Sequence, residues 1–143
     1  MVNKTLDAIT KQLGDKFGAG YHYYVEDVEQ KLKTPCFTVN VLNPLSRSIN
    51  YNTYYRTIPC VIHYFASNGN VPKKDCYAIG DSALECLEYI TVENRLVRGE
   101  DMSYTMVDDV LEIFITYRFW TNVPKAVEDG MGDIEIAQPS VIN

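Results

Sequence analysis

Eleven consecutive residues near the end of the chain, Val110-Leu111-Glu112-Ile113-Phe114-Ile115-Thr116-Tyr117-Arg118-Phe119-Trp120, limit the fold more than any other stretch. In an extended chain, successive side chains point to opposite sides. Leu111, Ile113, Ile115, Tyr117 and Phe119 therefore line one face of a strand. Phe114 and Trp120 add apolar bulk to the other face. A strand that is apolar on both faces is covered on both. The domain's own helices supply one cover, and a partner subunit is the candidate for the second.

The rest of the chain supplies partners for this strand. Leu96 to Thr105, leading into Met106-Val107, reads as the preceding strand. Val107-Asp108-Asp109-Val110 suits a two-residue hairpin turn, because Asp tolerates positive φ. Cys36 to Leu42 is a strand with Phe37, Val39 and Val41 on one face, ended by Asn43-Pro44. Tyr21 to Glu26 alternates and is rich in aromatics, which reads as another. A long strand runs from about Tyr54 to Phe65 and contains Pro59. Proline donates nothing to a ladder, so an edge or a bulge is expected there. Residues 45–53 are polar and poorly patterned and read as a loop, or as the tip of a long hairpin. Residues 27–34 read as a loop or one helical turn, and Ser67-Asn68-Gly69-Asn70 as a turn.

Two segments have helical spacing. Leu6, Ile9, Leu13 and Phe17 share one face of a helix over residues 3–17, with Asn3 or Thr5 as candidate cap and Gly18-Ala19-Gly20 as the stop. Cys76, Ile79, Ala83, Leu87 and Ile90 form a stripe along a longer helix over residues 73–91. Gly80 lies inside that helix, where glycine costs up to about 1 kcal/mol relative to alanine. Close packing of the helix on a sheet would account for it. The expected fold class is α+β: one mixed or antiparallel sheet, an N-terminal helix and one longer helix packed on a face, and an extended C-terminal arm. With 143 residues, one domain is expected over residues 1–121. Residues 122–143 form the arm, in which Asp133-Ile134-Glu135-Ile136 alternates.

The composition excludes several functions. The net charge is −6 and no basic stripe is present, which argues against a nucleic-acid partner. No segment is long and apolar enough to span a bilayer, and the first residues lack the apolar centre of a signal peptide. A cytoplasm-like reducing setting is therefore expected, with Cys36, Cys60, Cys76 and Cys86 as buried free thiols. His22 and His63 have no ligand-spaced partner, and no phosphate loop or nucleophile elbow is present. The carboxylates Glu26, Asp27 and Glu29, the pair Glu100 and Asp101, and the pair Asp108 and Asp109 read as solvated turns. No catalytic, cofactor-binding or metal-ligating residue is therefore assigned, and no cofactor is expected.

Several stretches carry a resemblance. They are Tyr24-Val25-Glu26-Asp27-Val28-Glu29-Gln30 closing with Pro35-Cys36-Phe37, then Ile62-His63-Tyr64-Phe65, then Val97-Arg98-Gly99-Glu100-Asp101-Met102 followed by Met106-Val107-Asp108-Asp109-Val110-Leu111. Over roughly residues 5–120 the chain resembles the phage tail terminator (tail completion) family of Gram-positive prophages and phage-like contractile particles. That family often has Asp-Gly where this chain has Asp108-Asp109. The resemblance implies a non-enzymatic six-fold ring stacked on the last ring of the tail tube, at the collar. Such a ring stops tube growth and offers a surface to the head-side connector. Its implied partners are other copies of itself, the tail tube protein, and the sheath or the head–tail connector protein. Its implied place is the tail of a virion or phage-like particle, assembled in the host cytoplasm.

A ring needs two different adhesive surfaces on one subunit. The candidate interface residues are Tyr54, Arg56 and Pro59 in the long strand, Phe114, Arg118 and Trp120 in the last strand, and Ile134, Ile136, Val141 and Ile142 in the arm. A neck or head–tail connector protein is the alternative structural reading. A small-molecule-binding domain or enzyme on the same fold class is the third, with Tyr21–Tyr24 as a possible pocket wall.

Overall fold

The apolar strand of residues 110–122, β7 (Val110–Asn122), lies inside a seven-stranded sheet, in the computed structural model that describes residues 1–25, 33–66 and 73–122. The elements before it are α1 (Val2–Phe17), β1 (His22–Val25), β2 (Cys36–Val41), β3 (Leu45–Asn50), β4 (Thr53–Phe65), α2 (Lys73–Leu87), β5 (Tyr89–Val92) and β6 (Arg95–Val107). The strand order is β1-β2-β4-β7-β6-β5, with β3 paired to β4. β1 and β2 are parallel, and the remaining pairs are antiparallel. This is the expected α+β class with a mixed sheet.

β4 and β7 are in register from Thr53 opposite Asn122 to Tyr64 opposite Leu111. One face of this pair carries Ile58, Cys60, Ile62 and Tyr64 against Leu111, Ile113, Ile115, Tyr117 and Phe119, all buried. Both helices pack on this face. Leu6, Ile9 and Leu13 of α1 are fully buried, as their spacing requires. Each large aliphatic side chain buried in this way contributes about 1.5–3 kcal/mol. An aromatic cluster closes one end, where Phe17 lies 4.8 Å from Phe37 and 5.4 Å from Tyr21, ring centre to ring centre.

The start of α1 differs from expectation. The helix begins at Val2, and neither Asn3 nor Thr5 caps it. Thr5 is buried, and its hydroxyl donates to the Met1 carbonyl at 2.9 Å inside the first turn.

In α2, a Cβ at Gly80 would stand 2.9 Å from Cδ2 of Tyr104 on β6, so only glycine lets the helix sit this close. The helix ends at Leu87 rather than at 91. The Glu88 carbonyl accepts from the Gly99 N–H at 2.6 Å, which draws the chain out of the helix and into β5. Ile90 continued the helical stripe in sequence, but it is buried from a strand instead.

Two hairpins close the sheet. Asp108 and Asp109 turn with φ of 49° and 66°, as read from the sequence. Glu93 and Asn94 do the same between β5 and β6, with φ of 50° and 66°.

Residues 45–50 form β3, a strand rather than a loop, and only Tyr51-Asn52 remain as the hairpin tip. β2 and β3 occupy one lane beside β4: β2 pairs with Cys60–Phe65 and β3 with residues 53–57. Pro59 lies where that lane is interrupted. Its carbonyl accepts from the Leu42 N–H at 2.8 Å, so its missing N–H also faces the gap between β2 and β3. β7 keeps Pro59 in register with Thr116, so there is no bulge; the ladder on its other side is interrupted, which makes Pro59 a local edge, one of the two expected settings.

Candidate subunit interface

The alternate side chains of β7 build the opposite face of the sheet. Glu112, Phe114, Thr116, Arg118 and Trp120 stand directly across from His63, Val61, Pro59, Thr57 and Tyr55 of β4. No described helix packs on this face. Val61 is buried, Phe114 is half-buried, and Trp120 is 52% exposed. The Trp120 ring lies 4.9 Å from that of Tyr55, tilted by 59°. β3 extends the patch with Leu45, 61% exposed and opposite Thr57, and with Arg47 opposite Tyr55. A contiguous exposed band of large apolar groups is a candidate interaction surface.

The charged groups on this face are largely satisfied within the subunit. Arg118 Nη1 lies 2.7 Å from Glu100 Oε1, and its Nη2 lies 3.0 Å from Asp101 Oδ2. The bond to Glu100, then that to Asp101, holds the guanidinium still more firmly protonated. These two carboxylates sit where the β6–β7 register shifts, and Asp101 takes φ 53°. Arg118 therefore braces a bulge. His63 Nε2 is 3.3 Å from Glu112 Oε2, with Phe65 alongside. The remaining surface is suited to docking by apolar contact.

The structure brings together Pro59, Phe114, Arg118 and Trp120 from the sequence-derived set. Tyr54 and Arg56 fall on the other, helix-bearing face, since they share parity with Ile58 and Cys60. There the Arg56 Nε–H donates to Thr121 Oγ1 at 3.1 Å, and the guanidinium lies 5.6 Å from the Tyr54 ring centre. Ile134, Ile136, Val141 and Ile142 lie outside the described residues, as does the arm after Asn122. Sequence reasoning missed Tyr55, Val61 and Leu45. Tyr55 and Val61 follow from the alternation that makes Cys60 and Ile62 core residues, whereas Leu45 needed β3 to be recognised as a strand.

The other chemically capable groups sit elsewhere. Asp108 and Asp109 form the turn already described, while Glu26, Asp27 and Glu29 lie outside the described residues. His22 is exposed on β1. Cys36, Cys60 and Cys76 are buried free thiols, and Cys86 is half-buried. Burial pushes the Cys60 thiol up to about 12 and the Cys86 thiol up to about 11. Among the described residues, no three His, Cys, Asp or Glu side chains are grouped to hold a metal ion, and no helix is long and apolar enough to cross a membrane.

Comparison with known proteins adds the family. No curated protein matches the chain. One matching chain from the solved structures aligns over 86% of this chain and 97% of its own length, at 12% identity and a TM-score of 0.45. The family model described as phage tail terminator protein matches residues 5–129, a span that holds every described strand and nearly all of both helices. The chain belongs to the phage tail terminator family and is a structural protein of the phage tail.

Proposed function

We propose that this chain forms a closed ring, of six copies, that caps the tail tube, stops its growth and offers the surface on which the head-side connector seats. One observation carries the reading: β7 is apolar on both faces, yet the described helices cover only one of them. A neighbouring copy that buries Trp120, Tyr55 and Leu45 completes the cover. Contacts between two unlike patches propagate by rotation and close into a ring. The arm, with Ile134, Ile136, Val141 and Ile142, supplies the second patch by reaching a neighbour. The partners are then other copies of the chain, the tail tube protein, and the sheath or the connector protein. The ring is built in the host cytoplasm. In this role the protein is not an enzyme.

The test is native mass spectrometry and negative-stain imaging of the purified protein, alone and mixed with tail tubes. The expected result is a ring of one defined copy number seated at a tube end. A subunit that stays monomeric at high concentration and leaves tube length unchanged would sink the reading. A ring found between the head and the neck, away from the tube, would favour the connector assignment instead.

A further inference from the structure

We propose that the free edge of β3 receives residues 133–136 of a second copy as an added strand. The inference rests on the ring reading for the supply of that neighbour.

Among the described residues β3 pairs with β4 alone, so within that set its outer edge presents unpaired backbone donors and acceptors. It is exposed at all six positions, holds no proline, and carries Arg47 as its single charge. The other edges are blunted. β1 and β5 are four residues each, and β6 beyond its pairing with β5 is broken by the register shift between Glu100 and Ser103. β3 is therefore the edge best able to template another strand.

The segment Asp133-Ile134-Glu135-Ile136 fits that edge. In an extended chain, its two carboxylates fall on one face and its two isoleucines on the other. Arg47 and Leu45 share one face of β3, while Ser46 and Ser48 share the other, next to Arg56 and Tyr54 of β4. Placing Asp133 and Glu135 on the Arg47 face gives charge complementarity and sets Ile134 and Ile136 beside the serines and Tyr54. The last described residue of β7, Asn122, stands opposite Thr53 at the hairpin tip. The ten residues 123–132 span up to about 33 Å, enough to reach an adjacent subunit. The ring reading sets a neighbouring copy alongside, and the occupant comes from that copy.

The experiment mixes two variants of the full chain under mild oxidation. One carries Ser46→Cys or Ser48→Cys; the other carries a cysteine at 133, 134, 135 or 136 in turn. Paired strands hold Cα atoms about 4.5–5.5 Å apart, within reach of a disulfide. A disulfide between the two variants forms only across copies. The expected result is a mixed dimer at least about fivefold above that given by Leu96→Cys, an exposed control on β6. Arg47→Glu should lower the yield by about two- to fivefold, and adding Glu135→Arg should restore it. No enrichment over the control overturns the inference. A disulfide that forms only when both cysteines are in one chain overturns it as well, because the segment then folds back on its own β3. Rings imaged without the cross-copy disulfide sink this inference alone. A cross-copy disulfide without any ring sinks the ring reading and leaves the edge contact standing.

Discussion

The hydroxyl of Tyr117 donates to the carbonyl oxygen of Leu87 at 2.6 Å, and both residues are fully buried. Leu87 ends α2, where helix carbonyls lose their own partners. The sheet thus satisfies the helix end that packs on it. Burial pushes the Tyr117 hydroxyl far up, so it remains a donor at every ordinary pH. Tyr117→Phe should lower stability by about 1–3 kcal/mol, because the buried carbonyl loses its donor. Urea unfolding should show a lower midpoint at unchanged slope. An unchanged midpoint would mean that Leu87 has another partner.

Gly99 faces the same junction. A Cβ there would stand 2.9 Å from Ile115 Cγ1 and 3.2 Å from the Leu87 carbonyl oxygen, and would overlap Ile115 Cδ1. Gly99→Ala is expected to destabilise by about 1–3 kcal/mol through overpacking. Ile115→Val removes the overlapping methyl, so the double variant should be less destabilised than the sum of the two singles. Strict additivity of the midpoints would count against this geometry.

Alkaline stability follows from the buried thiols. The folded Cys60 thiol has its pKa raised by burial from 9.0 to about 12. Between these values the unfolded chain has released the proton and the folded chain has kept it. The unfolded state then binds fewer protons, so stability falls as pH rises, by up to about 1.4 kcal/mol per pH unit for one such group. Well below pH 9, where both states hold the proton, the group contributes no slope. Cys60→Val should flatten the loss measured by denaturant titration between pH 9 and 11. A wild-type slope in the variant would assign the alkaline loss to other groups, such as Tyr64, whose hydroxyl burial also raises to about 12.

On the proposed interface, Trp120 is the residue at which folding and assembly can be tested apart. Its ring is half exposed and its one described ring contact is Tyr55. Trp120→Ser should change subunit stability by no more than about 1 kcal/mol, the worth of one aromatic pair. Ring formation, followed by analytical ultracentrifugation, should weaken by about tenfold or more if this residue anchors the interface. Equal assembly of variant and wild type would remove the open face from the contact.

Much of this fold was legible in the residues. β7 announced itself because its period of two runs unbroken from Leu111 to Phe119. α1 did so because three apolar turns align. The Asp108-Asp109 turn was legible because few residues tolerate two positive φ values in succession. β3 was not legible. Its side chains bury nothing, so no hydrophobic period marks it, and it is held by backbone pairing to β4. β5 was hidden because Ile90 follows Leu87 by three, a helical interval, and only the tertiary bonds at Leu87 and Glu88 end the helix there. Pro59 signalled a break in a ladder, but not which neighbour its missing N–H faces, because no local pattern encodes that. For the candidate interface, Trp120 and Phe114 were readable as apolar residues on the wrong side of a strand. The face that Tyr54 and Arg56 occupy was not legible, because a long strand without strict alternation at its start gives no parity there.

The alternation along β7 divides one short stretch of sequence between two kinds of selection. Odd-numbered positions keep the subunit folded, and a change there is felt by every copy before it meets a neighbour. Even-numbered positions from 114 to 120 carry less of that burden, Arg118 excepted, since it braces the bulge through Glu100 and Asp101. On the proposed interface, a lineage of particles would exchange its joining partners by substituting alternate residues of a single strand, while the protein beneath stays as it was.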